Sequence, residues 1–169
     1  MPVGVEGELA ARGPHVFRGY YKAPEVNQET FDEDGWFYTG DYGLIDENGR
    51  VRITGRKKDV ILRGGENVAA LEVEQPLLEH PKVWDVAVVA MPDARLGERV
   101  CAFVRPRDGE AITLEEVQAH LEEEGVAKFK WPERVELVDE LPLTNIGKVA
   151  KKALRERIQG ILQAEGAIS

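Results

Sequence analysis

Hydrophobic and polar positions change their rhythm once along this chain, near Asp59. The first 54 residues read as β-rich. Phe37–Asp46 and Arg50–Thr54 are predicted strands, and Glu47-Asn48-Gly49 between them is a turn signal that makes them a hairpin. Another turn is expected at Asp32-Glu33-Asp34-Gly35, ahead of the strand that carries Trp36, Phe37 and Tyr38. These elements are too few to close a core of their own.

After Asp59 the pattern becomes mixed. Ala70–Glu79 reads as a helix that offers Leu71, Val73, Leu77 and Leu78 to a core. Val83–Met91 and Arg99–Pro106 read as strands. Thr113 followed by Glu116 is a capping-box signature, opening a helix that runs to about Glu124 and stops at Gly125. Arg134–Asp139 is a further strand, and Val149–Gln159 a terminal helix. Pro76 inside the first helix removes a hydrogen bond and crowds the preceding turn, so that helix is expected to kink or to divide into two short turns. Helices alternating with strands predict an α+β domain, helices packed on a small sheet, behind a β-rich segment. The chain has no internal repeat and no low-complexity linker.

Composition narrows the function classes. The 169 residues suit one ordinary domain, or a small domain with a piece of another. Acidic residues outnumber basic ones by 31 to 22, which disfavours nucleic acid as a general partner while leaving room for a local basic cluster serving one nucleotide. Cys101, the single cysteine, sits in VCAFV where alternation buries it in a strand. The opening MPVGVEGELAARG has neither a basic nor an apolar leader region, and the longest apolar run, Val86–Met91, is too short for a membrane span. A soluble, cytoplasmic protein is expected.

Three stretches carry candidate chemistry: YTGD at Tyr38–Asp41, GRKKDVILRGGENV at Gly55–Val68, and PLTNIGK at Pro142–Lys148. Asp41 ends a strand, where its carboxylate can accept hydrogen bonds from both hydroxyls of a ribose, each contributing ~1.5–3 kcal/mol at best. A turn aspartate capping nearby N–H groups fits the same pattern. Arg56 offers a rigid fork of donors suited to nucleotide oxygens, although Arg56–Lys58 also reads as a solvated basic run. Gly64 and Gly65 let a ligand approach the backbone closely, or simply make a tight turn. Pro142 and Gly147 fix a loop from which Lys148 can reach outward; the other reading is a surface lysine opening a basic helix, Lys148–Arg157. Glu72 and Glu74, two residues apart on a helix, do not share a face and are assigned no catalysis. His15, His80 and His120 are scattered without the spacing of a metal site or a triad, so no metal site is expected.

In this order and at these separations, the three stretches resemble the carboxy-terminal portion of the adenylate-forming ligase superfamily, which includes acyl-CoA synthetases, aryl-acid ligases and luciferases. The resemblance covers nearly the whole chain. It implies ATP-dependent activation of a carboxylic acid as an acyl-adenylate, then transfer to a thiol. Residues 1–57 would be the end of the large adenylation domain, entered midway. Residues 58–169 would be its mobile carboxy-terminal domain, with the hinge at Lys58. On this resemblance Asp41 holds the ATP ribose and Arg56 contacts the nucleotide. Gly64 and Gly65 line the tunnel for the pantetheine arm of coenzyme A or a carrier protein. Lys148 bridges the substrate carboxylate and the α-phosphate as pyrophosphate departs, and Mg²⁺ arrives with ATP. The partners implied are the large adenylation domain upstream, the acid, and coenzyme A or a carrier protein.

The superfamily's Gly/Ser/Thr-rich phosphate loop, adenine platform and acyl pocket have no counterpart here. The isolated 169 residues are therefore expected to be inactive. RGGENVAALEVE and GVAKFKWPERVE resemble siderophore-pathway aryl-acid ligases, which load carrier proteins, as well as medium-chain or alicyclic acid CoA ligases. The carboxy-terminal part of an acyl-CoA ligase is the leading expectation, and an aryl-acid ligase the alternative. A free-standing binding module derived from the ligase fold is a third reading. Met1, which permits an independent reading frame, is compatible with it.

Overall fold

The computed structural model describes residues 2–168, and its backbone contacts divide the chain between Lys58 and Asp59. Met1, which bears on the free-standing reading, lies outside the described residues.

Upstream of the division is a three-stranded antiparallel sheet of β1 (Gly7–Ala11), β2 (Phe37–Ile45) and β3 (Val51–Arg56), in that order, with a short helix α1 (Pro24–Thr30) between β1 and β2. The β2–β3 turn forms where expected because Asp46 organises it. Its carboxylate accepts from the amides of Asn48 and Arg50, both at 2.8 Å. Asp32 does the same before β2, accepting from the amides of Asp34 and Trp36 at 3.1 and 2.8 Å. Phe17, Tyr20, Phe31 and Phe37 meet around α1 with ring centroids 5.0–5.5 Å apart. Even so, no apolar side chain of this unit is fully buried among the described residues, and Val3, Val5, Tyr21, Val51 and Ile53 are among those left exposed. The expectation of an unclosed core holds.

Downstream is a five-stranded sheet. It contains β4 (Val60–Arg63), β5 (Glu66–Ala69), β6 (Val83–Asp93) and β7 (Gly97–Pro106) in the order β5-β4-β7-β6. Strand β8 (Arg134–Leu137) runs parallel to β7 and pairs with it. Alternation along β7 feeds two cores. Val100, Ala102 and Val104 face α2 (Ala70–Glu79) and α3 (Leu114–Glu123), which supply Val73, Leu77, Val117 and Leu121. Cys101 and Phe103 point to the other face, where α4 (Lys151–Ala164) contributes Leu154, Ile158 and Leu162. The α+β expectation is met, with helices on both faces of the sheet. The capping box forms: Thr113 Oγ1 accepts from the Glu116 amide at 3.3 Å, and Glu116 accepts from the Thr113 amide at 2.9 Å.

Several details differ from expectation. Leu78 does not enter the core and is 45% exposed; Ala70 and the carboxylate-bearing Glu74 take the buried positions of α2 instead. α2 stays one helix through Pro76. The Pro76 carbonyl lies near the helix end and accepts from His120 Nε2–H at 2.9 Å, while His80 stacks edge-on against His120 at 4.8 Å. α4 starts two residues later and ends five residues later than the Val149–Gln159 expected, because Leu162 continues its buried stripe.

Candidate functional site

In the upstream unit, Asp41 and Arg56 are direct cross-strand partners on β2 and β3. Arg56 Nε donates to Asp41 Oδ1 at 2.7 Å, and Asp41 Oδ2 has no hydrogen-bond partner among the described residues. The Arg56 side chain is 47% and the Asp41 side chain 33% open to solvent. The carboxylate is placed by the strand before it: Thr39 Oγ1 accepts from the Asp41 amide at 3.1 Å and donates to the Leu9 carbonyl at 2.9 Å. Gly40 between them has φ +73°, a left-handed turn that turns the chain toward Asp41. A carboxylate with one oxygen neutralised by a guanidinium and the other free is an acceptor for a neutral diol.

The basic run after β3 is not simply solvated. Lys57 Nζ lies 2.8 Å from Glu8 on β1, and that carboxylate raises the lysine's pKa above its ordinary value. Lys58 sits in a single 3₁₀ turn, Lys57–Asp59, exposed and without an ion pair among the described residues. Asp59 belongs to the downstream unit, where its carboxylate is 3.3 Å from Arg155 Nη1 on α4.

In the downstream unit Gly64 and Gly65 form the two-residue turn of the β4–β5 hairpin, closed by the pair Arg63 and Glu66. They do not lead directly into α2; β5 intervenes. Their φ values of +59° and +93° are both in the region that favours glycine, as a primed hairpin turn needs. The turn is braced from the β6–β7 connection. Gly64 N–H donates to the Leu96 carbonyl at 2.8 Å, and Asp93 Oδ1 accepts from the amides of Leu96 and Arg95 at 2.8 and 3.0 Å. The Leu96 amide, followed by that of Arg95 and the Arg99 guanidinium, holds the Asp93 carboxyl below its usual range despite some desolvation. Arg63 grips Glu133 through two hydrogen bonds of 3.2 and 2.9 Å, which fixes the start of the turn.

Lys148 closes a small hairpin. Leu143 bridges to Val149, the Thr144 amide donates to the Lys148 carbonyl at 2.6 Å, and the Lys148 amide donates to Thr144 Oγ1 at 3.2 Å. Gly147 takes φ +76° to complete the turn. Lys148 is exposed, and no carboxylate pairs with it among the described residues. It does not begin the terminal helix, which opens three residues later at Lys151.

The sheet keeps the two downstream features apart. The glycine turn belongs to β4 and β5, beyond β7. The Lys148 hairpin runs into α4, where Lys151 Nζ meets Glu74 2.7 Å away, the same carboxylate accepts from the Val88 amide of edge strand β6, and Arg155 meets Asp59 at the start of β4, the end away from the glycine turn. Glu8, Glu133 and Arg155 carry no motif of their own in the sequence, since each acts through a residue distant along the chain; Asp93 had a local signal, a turn aspartate two and three residues before the amides it receives. Among the described residues no group of His, Cys, Asp and Glu is placed to hold a metal ion, and no helix is long and apolar enough to cross a membrane.

Comparison with known proteins gives the geometry a context. Residues 72–148 match the family described as the AMP-binding enzyme C-terminal domain. The chain is 50% identical to the medium-chain fatty-acid–CoA ligase of Escherichia coli (strain K12) over 159 residues, covering 94% of this chain and 28% of that ligase. It is 53% identical to the 2,3-dihydroxybenzoate-AMP ligase of Bacillus subtilis (strain 168) over 161 residues, covering 95% of this chain and 30% of the relative. The crystal structure of ATP-bound MatB from Rhodopseudomonas palustris superposes with a TM-score of 0.87 at 42% identity, over 95% of this chain and 32% of MatB. The chain thus spans under a third of the length of these relatives.

Proposed function

The chain carries the AMP-binding enzyme C-terminal domain and is homologous to acyl-CoA and aryl-acid–AMP ligases, and from that premise we propose that it is the carboxy-terminal part of an ATP-dependent acyl-CoA ligase. The observation that carries this reading is Lys148: an exposed cation on a braced hairpin, paired with no carboxylate among the described residues of a chain of net charge −9. An exposed positive charge with no partner among the described residues suits a group that neutralises an oxyanion on a substrate. It would lie between the substrate carboxylate and the α-phosphate of ATP, stabilising charge as pyrophosphate leaves. No proton need move.

Asp41 would accept from the ribose hydroxyls through its free oxygen, with Arg56 beside it toward the nucleotide. The Gly64-Gly65 turn, narrow and stripped of side chains, would border the passage of a pantetheine arm. Because that turn closes the far end of β4 while α4, which follows Lys148, meets the start of β4 through Arg155 and Asp59, a single pose of this unit would not bring both to the same reacting carbonyl. A pivot at Lys58, beside the boundary of the two units, would present them in turn.

The large adenylation domain upstream would supply the phosphate loop, adenine platform and acyl pocket. The open apolar surface of the upstream unit supports a body packed against it, and the isolated chain would be inactive. A carrier-protein-loading aryl-acid ligase is the second reading, favoured by the 53% identity to a 2,3-dihydroxybenzoate-AMP ligase. ATP with Mg²⁺ and a pantetheine thiol serve as substrates in either case, in a reducing cytoplasmic setting.

ATP–pyrophosphate exchange with a panel of fatty and aryl acids tests this. The polypeptide extended through the upstream domain should exchange, its Lys148→Ala variant should lose about 10²–10³ in rate, and the 169 residues alone should be silent. Exchange by the short chain, or full activity of the variant, would overturn the proposal.

A further inference from the structure

Two ion pairs flank Lys58, one in each unit. Lys57, immediately before it, is tied to Glu8 on β1 at 2.8 Å; the Glu8 side chain is only 19% exposed. Asp59, immediately after it, is tied to Arg155 on α4 at 3.3 Å, and its side chain is 12% exposed. Lys58 between them makes neither an ion pair nor a side-chain hydrogen bond among the described residues.

We infer that Glu8 and Arg155 are positioning residues that confine interdomain motion to the backbone of Lys58, by fixing Lys57 to the upstream unit and Asp59 to the downstream one. This inference rests on the hinge reading of Lys58 and extends it to the residues that make the hinge one residue wide.

The physical reason is geometric. A basic segment such as Arg56-Lys57-Lys58 can swing at every residue, so the unit it carries would sample a continuum of directions. Rotation about one residue's φ and ψ has a few allowed wells, so the carried unit takes discrete poses. Discrete poses are what a body needs if two of its surfaces are to reach one site alternately. The two pairs are of a kind that costs little to the fold: each joins a partly exposed cation to a more sheltered carboxylate, so its removal loosens the link before it unfolds either unit.

The test uses the full-length polypeptide with spin labels at Asn48→Cys and Asp108→Cys, both exposed, Cys101 being buried and left in place. Electron–electron resonance should give discrete distances for this parent. Glu8→Gln and Arg155→Gln should each replace them with a broad distribution, while the thermal midpoint stays near that of the parent. Exchanging the charges, Glu8→Lys with Lys57→Glu, should restore the discrete distances, which loss of a merely structural contact would not allow. Trypsin cleavage after Lys57 and Lys58 should rise by about fivefold in the single variants, the factor expected for an ion pair of this exposure.

If Arg155→Gln unfolds, Asp59→Asn breaks the same pair from the other side. Lys58→Pro, which locks φ, should collapse the parent's distances to one. If it leaves them unchanged, the hinge reading fails and takes the inference with it. If Lys58→Pro collapses them but Glu8→Gln and Arg155→Gln leave them discrete, the inference alone is overturned.

Discussion

Lys151 Nζ lies 2.7 Å from Glu74 Oε1, and that same oxygen accepts from the Val88 amide at 2.7 Å. One carboxylate thus joins the first residue of α4, the middle of α2 and the outer edge of β6. Both side chains are sheltered, at 17% and 12% exposure, so solvent screening is weak. Glu74→Ala would strand a lysine and an edge-strand amide, and it should cost about 2–4 kcal/mol. Urea unfolding of the parent and the variant measures this; a loss below about 0.5 kcal/mol would show that water replaces the carboxylate without penalty.

Lys148, three residues upstream of Lys151, should behave oppositely. Exposed, and unpaired among the described residues, it can be changed to alanine with no more than about 0.5 kcal/mol of effect on stability. Calorimetry of the variant used in the exchange assay gives the check. A large drop in midpoint would mean that any lost activity reflects misfolding.

The glycine turn makes a graded prediction. A Cβ on Gly64 would come 3.0 Å from Leu96 Cδ2, the far end of a flexible side chain, whereas a Cβ on Gly65 would meet nothing within 4 Å. The positive φ at both positions makes alanine unfavourable by about 1–2 kcal/mol. Gly64→Ala should be slightly worse than Gly65→Ala, and Gly65→Asn, which tolerates that backbone, should recover part of the loss. Denaturation midpoints of the three variants decide it.

Acid stability should report on the end of α4. Arg134 donates to both oxygens of Glu165, at 2.8 and 2.7 Å, and holds that carboxyl below its usual value of 4.5. The folded form therefore binds the proton more weakly than the unfolded chain. Its contribution is complete above pH 4.5 and is lost as pH falls through the lower folded value. Glu165→Gln should flatten this acid limb of the stability curve, as read by circular dichroism. An unchanged limb would mean that the pair contributes nothing.

Cys101 offers a probe of unfolding. Burial pushes its thiol up to about 12, so at neutral pH it is protonated as well as enclosed. Iodoacetamide should label it at the rate of global opening, accelerating with urea in step with loss of structure. Fast labelling of the native chain would show local opening of the α4 face.

The downstream sheet and its helices were legible because their signals are local and long. β6 and β7 are apolar runs, and α3 begins with a capping box; in the upstream unit the β2–β3 turn was legible for the same reason, Asp46 sitting two and four residues before the amides it receives. The β4–β5 hairpin was less visible. Gly64-Gly65 is a turn signal, but the strands on either side have four residues each, too few for alternation to declare itself. β1 was hidden for another reason: GELAA becomes a strand by pairing with β2, thirty residues further on. The same holds for the supports of the candidate site. Asp41, Arg56 and Lys148 stand in motifs, whereas Glu8, Glu133 and Arg155 act across gaps of 49, 70 and 96 residues. A spacing pattern holds no trace of such partners.

Among the described residues, every fully buried apolar side chain follows Asp59, beginning with Ile61. That distribution marks a crossover point for recombination. A gene fusion joined after Lys58 would transplant an intact core, Arg155 and Asp59 included, onto a foreign amino-terminal body. A junction even ten residues later would split the β4–β5 hairpin from the helices it packs against. Recombination that joins this unit to different amino-terminal bodies should find its viable seams clustered at this one place.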